Sequence, residues 1–191
     1  MDELKSFMVK GAPVVADIAY IRARHGEEGL DRVFAEMPDD YAATCRKTLL
    51  PGSWYTMHFR VSILLAIDKV FAKGDPNYYF KLGRHQAEHN LNTVYKAFSR
   101  VMGDSATARM SRVFWSQIYK ASYIETSVGK SSFEMEIFEY PLIGEYNCHV
   151  VRGYIHGALE MTGSRKENVR SSEPSCLNRG DHHCKFVFNW M

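Results

Sequence analysis

Glu173, Cys176 and Cys184 form the pattern Glu-x2-Cys-x7-Cys near the end of this 191-residue chain. Carboxylate oxygen and thiolate sulfur are donors that zinc takes into a tetrahedral site, completed by a fourth side chain. A turn through Asn178 and Gly180 would bring the two cysteines to one ion. A closed site of four protein ligands has no open position, so it would hold a fold together rather than carry out a reaction. The plainer alternatives are unpaired thiols buried as small hydrophobes, or a redox-active disulfide between Cys176 and Cys184. Cys45 stands apart and reads as a lone thiol. A second pattern, His85-Gln86-Ala87-Glu88-His89, matches His-x-x-Glu-His, in which two histidines one helical turn apart bind metal and the glutamate activates water in inverted zincin peptidases. On a helix both histidines fall opposite Leu91 and Phe98, facing solvent or another subunit, and no distal acidic ligand is identifiable. His58, His85 and His89 are each chemically able to ligate a haem iron, but no local haem motif supports that cofactor. With no glycine-rich nucleotide loop and no Ser-His-Asp arrangement, binding is better supported than catalysis.

The elements that must carry these side chains are legible from periodicity. Residues 1–50 read as short helical segments broken at Gly11-Ala12-Pro13, Gly26 and Met37-Pro38-Asp39-Asp40. Ile63, Leu64, Ile67, Val70 and Phe71 recur at three- and four-residue steps, which predicts a one-faced helix from Met57 to Ala72. Leu91, Val94, Tyr95, Phe98, Val101 and Met102 predict another from about Tyr78 to Met102, and Met110, Val113, Phe114 and Ile118 a third from about Ala106 to Tyr119. The period then changes. Tyr123–Val128 and Phe133–Phe138 flank Gly129-Lys130-Ser131-Ser132, and the second run alternates apolar with acidic residues, as in a hairpin with one wet face. A helix from Tyr146 to Met161 follows, then strands near Lys166–Ser172 and Lys185–Trp190. Hairpin, helix, hairpin implies an antiparallel sheet covered by helices. The expectation is an α+β single domain, 1–191, with a mainly helical part at 1–120 and a zinc-stapled part at 121–191.

Cys148-x4-Gly153-Tyr154-x2-Gly157, followed by Glu173-x2-Cys176-x3-Gly180-x3-Cys184-x-Phe186, resembles the 4-vinyl reductase domain family and the related sensory domain of phenol- and xylene-responsive bacterial activators. The whole chain also resembles a paralogous family of myxobacteria and their relatives. The motif resemblance implies Cys148, Glu173, Cys176 and Cys184 as zinc ligands, with His149, His182 or His183 as substitutes for the distant Cys148. It further implies a ligand-contacting histidine, His85 or His89, with Trp115, while Phe114, Tyr119, Tyr123 and Met135 would line the same cavity. The implied fold is the one shared by nitric-oxide sensors and vesicle-tethering subunits, commonly dimeric and often enclosing an apolar cavity.

Bulk composition narrows the function. Hydrophobic residues at 46% and charged residues at 24% exclude extensive disorder. A net charge of +2, from 24 basic and 22 acidic residues without a sustained cluster, gives nucleic-acid binding no footing. Pro13–Ile21 and Val61–Ile67 are too short to span a membrane, and the N-terminus has no secretory pattern. A cytoplasmic setting follows, where clustered cysteines meet metal more often than one another. The 11 Phe, 11 Tyr and 3 Trp suit a core, and equally a pocket for a small apolar or aromatic molecule. The leading expectation is a small-molecule-binding sensor or regulatory domain, forming a homodimer and signalling through a separate effector protein. The alternative is a scaffold or assembly protein with a filled or lipid-occupied cavity; a haem-based gas sensor and a metallopeptidase stand behind both.

Overall fold

A computed structural model describes residues 2–47, 49–91, 104–161 and 168–191. In chain order the elements are α1 (Asp2–Ser6), β1 (Met8–Lys10), α2 (Ala12–Ala35), α3 (Asp39–Arg46), β2 (Trp54–Thr56), α4 (Met57–Ile67), α5 (Pro76–Asn90), α6 (Asp104–Ile118), β3 (Tyr123–Gly129), β4 (Ser132–Phe138), α7 (Glu145–Met161), β5 (Arg170–Ser175) and β6 (Cys184–Asn189). Local chemistry explains several boundaries. Pro13 sits in the first turn of α2, and Gly26, at φ +71°, interrupts that helix. The Thr56 hydroxyl accepts from the Phe59 amide at 3.2 Å and caps α4. A π-helical turn over Asp68–Ala72 prolongs α4 until Lys73 and Gly74 turn left-handed. Asp75 accepts from the Asn77 amide at 2.9 Å and starts α5.

The Met57–Ala72 helix and the mixed helix-and-antiparallel-sheet architecture are as expected. The helix expected over Tyr78–Met102 begins two residues earlier and is described to Asn90; Val94, Tyr95, Phe98, Val101 and Met102 lie outside the described residues. A small sheet of β1 and β2, pairing Met8 with Thr56 and Lys10 with Trp54, lies within the part expected to be mainly helical. Strands of three residues are too short to display an alternating pattern.

The second sheet is antiparallel in the order β3-β4-β6-β5. Its register places Phe133, Met135 and Ile137 of β4 beside Phe188, Phe186 and Cys184 of β6. These six side chains are buried and face the helices, while Glu134, Glu136 and Lys185 form ion pairs on the other face. The inner face, with Phe7, Val9, Met57, Val61 and Val151, makes one apolar cluster. A second cluster fills the space among α2, α3, α4 and α5, using Val14, Ile21, Leu30, Ile63, Leu64, Ile67 and Leu82. Helices α5 and α7 cross with their backbones in contact. A Cβ at Gly83 would strike the Val150 carbonyl, and one at Gly153 would strike the Phe80 carbonyl. Only glycine permits that approach.

Candidate functional site

Four donors converge at the end of the larger sheet. Cys148 comes from α7, Glu173 from β5, Cys176 from just beyond β5, and Cys184 from the first position of β6. Their ligand atoms all lie within 4.8 Å of one another, the one such group of three or more donors among the described residues. Cys148 Sγ is 3.6 Å from Cys176 Sγ and 3.9 Å from Cys184 Sγ. Metal–thiolate bonds of about 2.3 Å in a tetrahedron separate sulfurs by about 3.8 Å. The spacing therefore suits one metal ion, and the four cysteines are all free thiols.

Electrostatics at the cluster favour the same chemistry. All three sulfurs are buried, and both Glu173 oxygens are shielded from water with no hydrogen-bond partner. The nearest cation, Arg179, stands 3.7 Å from Glu173 Oε2. A hydrogen bond with Cys184 raises the Cys148 thiol far above its usual range, and burial adds to the rise; burial is the first cause raising Glu173 and Cys176. Cys184 moves the other way, down to about 7, through its hydrogen bond with Cys148; the other crowded donors in these apolar surroundings hold protons unless a cation replaces them. Of the substitutes for Cys148, His182 is exposed, His183 is 3.6 Å from Glu136 and stacked on Phe138, and the group of converging donors includes Cys148 rather than His149.

The side chains suggested for a ligand cavity separate into three places. The Trp115 and Tyr119 rings lie tilted with centroids 4.3 Å apart and both approach Tyr140 at 5.7 Å, where α6 meets the sheet; Met135 belongs to the same apolar cluster. Trp115 Nε1 donates to Ser122 Oγ at 2.9 Å. Phe114 is half-buried on α6, whereas Tyr123 is 48% exposed on the opposite face of the sheet from Met135, stacked on Phe138. His85 and His89 lie elsewhere, on α5, with rings 6.1 Å apart; His85 also packs 5.3 Å from Tyr20 of α2. His89 is exposed, and among the described residues no acidic side chain joins the two into a group of three donors.

One feature escaped sequence reasoning. Asp17 of α2, Arg60 of α4 and Gln86 of α5 meet in the interior, all buried. Asp17 Oδ2 accepts from Arg60 Nη1, and Oδ1 accepts from Gln86 Nε2 at 2.5 Å. The charge of Arg60 also acts on Tyr119 and Tyr140, so the trio sits where the two apolar clusters adjoin. Asp17 within the apolar run Pro13–Ile21 was the available signal, since an acid on a buried helix face requires a partner.

No family model matches the chain, and no curated protein matches its sequence. Solved structures do share its fold. An H-NOX protein from S. oneidensis in the Fe(II) ligation state is similar with a TM-score of 0.69 at 12% identity, covering 95% of this chain and 96% of that one. The H-NOX domain from Shewanella oneidensis in its Fe(II)CO state gives 0.71 at 12% identity, covering 95% and 98%. An oxygen-binding H-NOX domain related to soluble guanylate cyclases gives 0.65 at 15% identity, covering 95% and 94%. The fold is thus that of H-NOX domains, in accord with the implied nitric-oxide-sensor fold, while the 4-vinyl reductase resemblance finds no matching family model.

This finding corrects the expected cofactor. Structural zinc was expected and haem was left unsupported, yet the solved structures that share the fold are described by heme distortion and Fe(II) ligation states. Cysteine spacing reports a local donor set; the haem is that of the neighbouring structures and concerns a fold that local spacing does not report. No helix among the described residues is long and apolar enough to cross a membrane.

Proposed function

We propose that this chain is a small-molecule-binding sensor domain on the H-NOX fold, with haem as the cofactor that fold implies. The observation carrying this reading is the likeness to H-NOX domains along 95% of the chain. All eight histidines are among the described residues, so each can be tested as an axial ligand. His25 shares its Nε2 with the Tyr78 hydroxyl at 3.0 Å, and His58 its Nδ1 with the Tyr41 hydroxyl at 3.0 Å. His156 is 3.2 Å from Glu160. His85 Nε2, His149 Nδ1 and His156 Nδ1 are buried with no partner, and burial lowers all three pKa values; His149 adjoins Cys148 of the donor cluster and His156 pairs with Glu160, which leaves His85 as a neutral imidazole with a lone pair available. Iron accepts that donor, so His85 is the residue that would hold it. Haem, when bound, supplies the iron at which a diatomic gas binds.

The aromatic group Trp115, Tyr119 and Tyr140 is the proposed wall for a small apolar or aromatic ligand. Cys148, Glu173, Cys176 and Cys184 are proposed as ligands of one metal ion at the sheet end, separate from His85. Output passes to a separate effector protein, with a homodimer as the signalling unit. Adding hemin to the purified full chain and reducing it to the ferrous state with dithionite tests the central reading. A Soret band that moves on exposure to carbon monoxide, and that is lost in His85→Ala but kept in His58→Ala and His89→Ala, is expected. A spectrum no different from free hemin would refute it.

A further inference from the structure

We infer that Asn178 is a positioning residue for the four-donor metal site, a step that rests on the metal-ligand reading above. Its amide is oriented by a group outside the site. The Gly144 N–H, at the turn before α7, donates to Asn178 Oδ1 at 2.9 Å. A backbone N–H can only donate, so the oxygen must face Gly144 and Nδ2 must face the other way. There it stands 3.6 Å from Cys148 Sγ and 3.8 Å from Cys176 Sγ, as a donor to both. The third sulfur receives its donor from the backbone, Leu177 N–H to Cys184 Sγ at 3.4 Å.

This arrangement does two things at once. Asn178 sits in the 3-10 turn Leu177–Arg179 and ties that turn to the loop entering α7, the two pieces of backbone that must bring Cys176 and Cys148 together. Its N–H groups also draw electron density from the two sulfurs, as outer-shell donors do at metal–thiolate centres. Three thiolates and one carboxylate around a divalent cation leave an excess of negative charge, which N–H donors and the neighbouring Arg179 offset. Asparagine suits both tasks because one planar amide carries an acceptor and a donor on opposite edges. Aspartate keeps the acceptor for Gly144 but turns an anionic oxygen toward the sulfurs; alanine loses both contacts.

Cobalt(II) titration of the full metal-free chain tests this, read by the sulfur-to-cobalt charge-transfer band. The wild-type chain is expected to show the band. Asn178→Asp and Asn178→Ala are expected to bind cobalt about 10- to 100-fold more weakly, the usual effect of removing an outer-shell partner. The band should move to lower energy, because sulfurs without an N–H donor release charge more readily; a purely structural role would change affinity without moving it. Circular dichroism of each variant establishes that it folds, and if Asn178→Asp does not, Asn178→Ala carries the comparison. A wild-type band with unchanged affinity and position in the variants overturns the role of Asn178 alone. Absence of any band in the wild type overturns the metal site itself.

Discussion

The Asp17–Arg60 pair makes a quantitative claim about stability. Asp17 is 0% exposed and Arg60 2% exposed, so neither charge is solvated by water. Arg60→Met would leave the Asp17 carboxylate with only the Gln86 amide donating to it among the described side chains, and Asp17→Asn would leave a buried guanidinium without its counter-ion. Arg60→Met, which leaves the buried anion without its cation, should cost about 3–5 kcal/mol at neutral pH, whereas the double variant, which removes both charges, should recover most of that loss. A double-mutant cycle by urea denaturation at neutral pH should therefore give strong coupling. The pH dependence is an independent check. Burial outweighs the attraction of Arg60 and raises the Asp17 carboxyl from its usual 3.8 to about 6. The folded chain thus holds this proton more tightly than the unfolded chain. Its contribution to stability is full below pH 3.8 and is lost as pH rises through about 6. At about 1.4 kcal/mol per pH unit, the loss amounts to about 3 kcal/mol, and Asp17→Asn should abolish that slope. Additive single effects, or the same slope in wild type and Asp17→Asn across this window, would refute the reasoning.

Two further outcomes follow from close packing and from the donor cluster. Gly83→Ala forces a methyl group against the Val150 carbonyl and should destabilise the chain by about 1–3 kcal/mol in urea, with the same change at exposed Gly52 having little effect. Elemental analysis of protein purified without chelator should find one metal ion per chain besides haem iron, and Cys184→Ser should lower that content; equal content in the two proteins would count against Cys184 as a ligand.

What could be read beforehand depended on how far along the chain the partners lie. Phe133, Met135 and Ile137 declared a sheet face by simple alternation, and Glu173, Cys176 and Cys184 declared a donor set because one turn brings them together. Cys148 is 28 positions from Cys176, and only the resemblance suggested it. Asp17 reaches Arg60 across 43 positions and Gln86 across 69, and no local pattern pairs an acid with a base at such separations. Gly83 and Gly153 likewise have no meaning singly; each is required because another helix crosses at that point. The same limit bears on the proposed cofactor. At 12–15% identity the fold survives in the order and packing of its elements, and the motifs that would announce a haem need not survive with it. Asn178 belongs with these cases: its two contacts join Gly144 to Cys148 and Cys176, so its role becomes visible only once α7 and the turn before β6 are side by side. The residues that locate chemistry in this chain are short-range, and those that hold it in place are long-range, which is why the latter are the sharper targets for mutation.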